Sequence, residues 1–353
     1  MPIRVLVVED SVTVRRRLCD ALAADPAVEV VAEAADGREA IHLCETLRPD
    51  VVTMDMMLPV MTGLGATEYI MAHCPTPILI VSASTNRGEV FKTYEALAAG
   101  AVDVIEKPDG TEPDGEWERR FLAAVKIVAR VRAVTHLRAR LGSWGQPRPA
   151  AAAFPRASSA ARACRIVAIG ASTGGPGAVL TILRALPSRF PLPVVLVLHI
   201  GEPFAEAFAD WLDRQTGFAV AYAVEGQPVE AVAGRVAMAP PGVHLVVRGG
   251  RFHLTRDPAR HSCRPSIDRL FESLAEDCGS STAACLLTGM GRDGAAGLLE
   301  IRRAGGLTIA QDEASSVVYG MPREAVLLGA AERVLPIGEI GPYLASMAEA
   351  RIP

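Results

Sequence analysis

The feature that most constrains this chain is a rhythm in its first third. Short apolar, β-branched runs alternate there with stretches of helical spacing. Ile3–Val8, Val28–Ala32, Val51–Met54, Ile78–Val81 and Val102–Ile105 read as strands, being mostly apolar, rich in β-branched residues and only four to six residues long. Val12–Ala23, Arg38–Leu47, Leu64–Ala72 and Val90–Ala98 read as helices, the last ending at Gly100, a residue suited to a helix C-cap, and Glu116–Leu141 contains a long final helix. Five βα units in a row require crossover connections and so imply a parallel sheet with helices on both faces.

The chain is 353 residues long, more than one hydrophobic core usually organises, so a second domain is expected. The composition changes at Gly142–Ala163, GSWGQPRPAAAAFPRASSAARA, which has Pro, Ala, Ser and Arg but no acid and no period. It reads as a linker. The expected organisation is therefore domain 1–141, linker 142–163 and domain 164–350. The second domain opens with a buried strand, Ile166–Ile169, followed by a Gly-rich turn, a helix from about Ala178 to Leu186, and a further strand, Val194–Leu198. Later strands include Val236–Ala239, Leu245–Val247, Ala284–Leu287 and Thr308–Ala310; helices include Pro203–Gln215, Ile267–Cys278, Ala295–Ala304 and Met321–Leu328. This is a second, doubly wound, mainly parallel α/β domain.

A formal net charge of −4 gives no electrostatic case for nucleic-acid binding. No apolar run reaches membrane-spanning length, which leaves direct membrane insertion unsupported, and the acidic start MPIRVLVVED does not read as a secretory signal. The seven cysteines contain no C-x-x-C, so reduced thiols in a cytoplasmic protein are expected, with Cys19, Cys44, Cys74 and Cys285 as small core residues.

Open parallel sheets bind ligands beyond the carboxyl ends of their strands. In the first domain those ends deliver Glu9 and Asp10, then Asp55, then Ser82, then Lys107. Three converging carboxylates call for a hard cation such as Mg²⁺, and a lysine and a hydroxyl beside it suit a phosphoryl group. The motifs VLVVEDS, TMDMMLPVMTGL, VSAS and AGAVDVIEKP resemble the flavodoxin-like receiver domain of bacterial response regulators. The resemblance implies that Asp55 accepts phosphate from a histidine kinase. It further implies that Glu9, Asp10, Asp55 and the Met57 carbonyl hold Mg²⁺, and that Ser82 and Lys107 contact the phosphoryl group. Two positions depart from the pattern: Val104 stands where an aromatic switch residue is frequent, and Thr62 where an acid is common.

In the second domain IVAIGASTGGPGAV places Ser172 in a G-x-S-x-G turn between a strand and a helix. That is nucleophile-elbow geometry, although a Gly-rich turn opening a helix could also cradle a phosphate. His199 ends the next strand and is positioned to serve as the base, with His244, His253 and His261 as weaker rivals; Asp293, in LLTGMGRDGAAG, supplies a carboxylate to orient it. The order Ser172, His199, Asp293 is not that of the α/β-hydrolases. IGASTGGP, LHIGEPFAEAFA, MAPPGVHL, CRPSIDRLF, LLTGMGRDGAAG and QDEASSVVYGMPREAV resemble the catalytic domain of the CheB family of chemotaxis protein-glutamate methylesterases/glutaminases.

That resemblance implies a Ser172–His199–Asp293 triad with no cofactor, supported by Thr173 and by Met290 near the oxyanion. It implies methyl-accepting chemotaxis receptors as substrates, glutamate methyl esters and certain glutamines as the groups hydrolysed, and a chemotaxis histidine kinase as phosphodonor. Ile-Gly-Glu-Pro after His199 and Cys263 before Arg-Pro-Ser depart from the family, where Met-Pro and an aromatic are frequent. Arg264 is an exposed surface residue or a contact for acidic receptor helices. A partner-binding module without catalysis, a hydrolase of another methylated protein, and a nucleotide-binding role for the Gly174-Gly175 turn are the alternatives.

Overall fold

The computed structural model describes residues 1–83, 87–108, 113, 115–131 and 164–349. The expected linker, and the part of the expected long helix beyond residue 131, lie outside the described residues. The chain forms two compact units, Met1–Pro147 and Arg148–Pro353.

The first unit alternates β1 (Ile3–Val8), α1 (Val12–Ala23), β2 (Val28–Ala34), α2 (Gly37–Leu47), β3 (Val51–Met54), α3 (Gly63–His73), β4 (Ile78–Ser82), α4 (Arg87–Ala98), β5 (Asp103–Glu106) and α5 (Glu116–Val128). Its strands lie in the order β2-β1-β3-β4-β5, all parallel. This is the flavodoxin-like order, whose switch point lies between β1 and β3. The acid-bearing turns Glu9–Asp10 and Asp55 leave from the ends of those two strands. Both faces of the sheet are covered, so the central strands are buried on both sides, as their largely apolar runs require.

The second unit contains β6 (Ile166–Ala171), α6 (Gly175–Ala185), β7 (Val194–Leu198), α7 (Glu202–Gln215), β8 (Val220–Tyr222), β9 (Val236–Met238), β10 (His244–Arg248), β11 (Arg251–Thr255), α8 (Ile267–Asp277), β12 (Thr282–Leu286), α9 (Ala295–Arg303), β13 (Leu307–Gln311), α10 (Met321–Leu327), β14 (Arg333–Leu335) and α11 (Ile337–Glu349). Seven of its strands form a parallel sheet ordered β14-β13-β12-β6-β7-β9-β8, while β10 and β11 make a separate antiparallel hairpin. The chain winds outward from β6 in one direction through β7 and returns on its other side at β12, so the switch point lies at the carboxyl end of β6. Helix α8 buries Ile267, Leu270, Phe271 and Leu274, an i, i+3, i+4, i+7 stripe, against Leu286, Leu298 and Ile301. Each such side chain contributes about 1.5–3 kcal/mol, which holds the amino end of α8 at the switch point.

Four elements were not foreseen. β8 and β14 are three-residue edge strands, β11 alternates only loosely, and α11 contains Pro342, which ordinarily argues against a helix interior. All seven cysteines are free; Cys44 and Cys285 are buried, whereas Cys19 and Cys74 are only half-buried rather than full core residues. Among the described residues no helix is long and apolar enough to cross a membrane.

Candidate active site

Parallel register brings the first two site residues together. Ala171 pairs with Leu198 across β6 and β7, so Ser172 and His199 are the next residue on each strand. The His199 N–H donates to the Ala171 carbonyl at 3.0 Å, and the Ser172 N–H to the Thr288 carbonyl at 3.0 Å. Gly174, at φ 75°, makes the left-handed turn that opens α6, and a Cβ there would lie 2.5 Å from Val317 Cβ. A Cβ on Gly289 would lie 2.7 Å from Ser172 Cβ, so the backbone after β12 lies directly against the serine. Met290, the next residue, has an exposed side chain. Thr173 contributes its carbonyl, which accepts from Thr288 Oγ1 at 2.9 Å.

His199 Nε2 lies 3.0 Å from Asp293 Oδ2. A carboxylate can only accept, so Nε2 carries the proton and the neutral ring keeps its lone pair on Nδ1. Asp293 is buried and fully used. It accepts from Ser266 Oγ at 2.7 Å, from the Ile267 N–H at 2.7 Å and from the Asp268 N–H at 3.1 Å. The carboxylate therefore sits on the amino end of α8, where N–H groups and the helix dipole favour negative charge. Burial pushes the Asp293 carboxyl up, but the His199 hydrogen bond and charge, with Ser266 and Ile267, outweigh it and hold it below the usual range. Burial lowers the His199 imidazole, yet its contacts with Asp293 and Cys263 outweigh that and push it up to about 9. Ser172 Oγ makes no hydrogen bond among the described residues, His199 included. Such bonds are often long without substrate.

The rival histidines are occupied elsewhere. His244 is buried, accepts from the Ser266 N–H on Nδ1 at 3.1 Å and faces the Pro258 carbonyl through Nε2 at 3.2 Å. His253 pairs with Glu225 at 2.9 Å and His261 with Asp268 at 3.2 Å.

The first unit collects the other set. Glu9 and Asp55 are buried, Asp10 is exposed, and all three place carboxylate oxygens within 4.8 Å of one another. Lys107 Nζ lies 2.8 Å from Glu9 Oε2 and 3.0 Å from Asp55 Oδ2. The contact to Asp55 is an ion pair without hydrogen-bond alignment, and Asp55 Oδ1 has no hydrogen bond at all among the described residues. Burial, with the Asp55 charge adding to it, raises the Glu9 carboxyl to about 7 despite Lys107. Orphaned oxygens on clustered acids fit a hard divalent cation such as Mg²⁺. Ser82 is buried and donates to Glu89 Oε1 at 3.0 Å, while Thr93 Oγ1 lies 3.4 Å from it. Met57 has an exposed side chain, with Lys92 Nζ 3.7 Å from its sulfur.

Comparison with known proteins bears on both halves. Residues 167–344 match the CheB methylesterase family, and residues 5–112 the response regulator receiver domain. The chain belongs to the CheB methylesterase family. A relative from Anaeromyxobacter dehalogenans, protein-glutamate methylesterase/protein-glutamine glutaminase 2, is 45% identical over 96% of this chain and 95% of its own length. A protein of the same name without the number, from Nitrosospira multiformis, is 42% identical over 99% and 98%. The crystal structure of the Thermotoga maritima CheB methylesterase catalytic domain matches with TM-score 0.50 and 36% identity, covering 52% of this chain and 98% of that one.

Within this CheB-family chain, three groups escaped the sequence reading. Ser266, the amides opening α8 and Gln311 complete the site: Gln311 Oε1 accepts from the Thr288 N–H at 2.8 Å and so fixes the strand end beside Ser172. A serine before an apolar run signals an N-cap, but nothing signals that Asp293 shares that helix end. Cys263 was noted only as a departure from the family; its sulfur lies 3.7 Å from His199 Nδ1. Thr62, the other departure, is the N-cap of α3 and accepts from the Gly65 N–H at 3.2 Å.

Proposed function

We propose that this chain is a phosphorylation-controlled serine hydrolase that removes methyl esters from glutamate side chains of chemoreceptors and deamidates particular glutamines. The observation that carries the reading is the His199–Asp293 pair, which in the neutral ring leaves Nδ1 as the basic nitrogen at the strand end beside the Ser172 turn. Ser172 Oγ attacks the ester carbonyl and gives its proton to His199 Nδ1. Asp293 holds the tautomer and stabilises the imidazolium. Backbone N–H groups at the Thr173 and Met290 turns are the candidate oxyanion donors, each worth about 10²–10³ in rate. The proton on Nδ1 leaves with methanol, and a water then releases the acid. A glutamine loses ammonia by the same route.

In the same proposal residues 1–141 regulate and residues 164–350 catalyse, joined through 142–163. Asp55 takes phosphate from a chemotaxis-type histidine kinase. Glu9, Asp10, Asp55 and the Met57 carbonyl would hold Mg²⁺, which neutralises charge on the transferred phosphoryl group. Lys107 and Ser82 contact that group, and Ser82 would give up its bond to Glu89 to do so. The exposed Arg264 is the candidate contact for acidic receptor helices. A cytoplasmic location follows from such partners. The test is methanol release from methylated receptor membranes. Wild type should release it and Ser172→Ala should not; equal release by both would refute Ser172 as the nucleophile.

A further inference from the structure

We propose that Cys263 and His199 form a binding site for a soft divalent metal ion, zinc foremost, that locks the catalytic imidazole. Cys263 Sγ lies 3.7 Å from His199 Nδ1, and the donor atoms of Cys263, His199 and Asp293 all fall within 4.8 Å of one another. A tetrahedral zinc ion with Zn–S near ~2.3 Å and Zn–N near ~2.0–2.1 Å sets its sulfur and nitrogen ligands roughly 3.5 Å apart. The two atoms are therefore already spaced to share one ion.

The ring also faces the right way. Nε2 donates to Asp293 Oδ2 at 3.0 Å, which leaves Nδ1 for the metal, and a carboxylate behind a ligating histidine is the arrangement that raises ligand basicity and fixes ring orientation. Asp293 is itself tied to three donors at the start of α8 and so holds the histidine firmly. The cysteine is presented by a tight turn. Arg260 and Cys263 exchange N–H···O bonds of 3.1 and 2.8 Å, while His261 and Ser262 between them sit at φ 51° and 63°. The turn is anchored by Arg260 on Glu272 at 2.6 Å and by His261 on Asp268 at 3.2 Å. Neither ligand is fully buried, so waters can fill the remaining positions and an ion can enter. On binding, the Cys263 thiol and the Nδ1–H of the protonated imidazole both give their protons to solvent, and the thiolate and the freed Nδ1 lone pair go to the metal. That lone pair is the one assigned above to deprotonate Ser172, so occupancy switches hydrolysis off; this consequence, unlike the binding, rests on the proposed function.

The full-length chain titrated with Cd²⁺, a spectroscopic stand-in for Zn²⁺, should develop the ultraviolet thiolate-to-cadmium charge-transfer band at one equivalent. Calorimetry with Zn²⁺ should give one site. Cys263→Ala should lose the band and weaken Zn²⁺ binding at least about tenfold, and Cys263→Ser should behave likewise if either variant folds poorly. Zn²⁺ should inhibit methanol release by the wild type, with recovery on adding a chelator, and Cys263→Ala should resist it. A band that persists in both variants, or equal Zn²⁺ affinity, would overturn the site. Binding through Cys263 without inhibition would overturn the lock and the assignment of Nδ1 as the base. A chain that hydrolyses no methyl ester would still be decided by the band.

Discussion

At the scale of single residues, His199 sets a tension between rate and stability. Its imidazole is pushed up to about 9, and a base must be neutral to act. The kcat/KM for ester hydrolysis should therefore rise with pH, about tenfold per unit, and level off near 9. Cys263 is among the contacts that raise it, so Cys263→Ala should move the midpoint down; an unmoved profile would mean the thiol does not bear on the ring. The stability effect has the opposite sense. A histidine raised above its ordinary 6.5 stabilises the fold below that pH, and the contribution is lost as pH climbs through about 9. Asp293 has a double role that two substitutions separate. Asp293→Asn should cost about 10³–10⁴ in kcat by spoiling the tautomer. Asp293→Ala should also lower stability by about 1–3 kcal/mol in urea unfolding, because Ser266 Oγ and the amides of Ile267 and Asp268 lose their acceptor. Equal stability of the two variants would remove the helix-capping role.

At the scale of elements, the site depends on how closely the turn after β12 approaches the one after β6. Gly289→Ala would drive a methyl group onto Ser172 Cβ and Met321 Sδ, both 2.7 Å away, at a cost of about 1–3 kcal/mol and with loss of hydrolysis. Gly177→Ala, inside α6 with nothing within 4 Å, should instead stabilise by about 0.4–1 kcal/mol and leave activity intact. Thermal melts of the two variants compare them directly. The same contrast explains what could be read beforehand. The apolar runs of β1, β3, β4, β6 and β7 mark buried strands because both faces are covered, and the glycines around Ser172 mark a turn with no room for side chains. The edge strands β8 and β14 carry three residues each, too few for any period to show. Pro342 concealed α11. His199 and Ser172 were legible because each ends a buried strand. The contacts of Asp293 with α8 and of Cys263 with His199 were not, since they join residues 27 and 64 apart whose meeting depends on packing rather than on local pattern.

At the scale of the whole molecule, the account joins a phosphate switch to an esterase. Deleting residues 1–141 should raise basal hydrolysis if the unphosphorylated receiver restrains the catalytic half. A truncated chain no faster than the unphosphorylated whole would mean that the receiver does not restrain the catalytic half. The joint claim is tested most directly by methanol release from methylated receptor membranes with Mg²⁺, with and without acetyl phosphate, for wild type, Asp55→Asn and Ser172→Ala. Release that rises with the phosphodonor in the wild type, stays basal in Asp55→Asn and vanishes in Ser172→Ala is expected. Release by Ser172→Ala, or a wild type indifferent to the phosphodonor while Asp55 is shown to be phosphorylated, would contradict it.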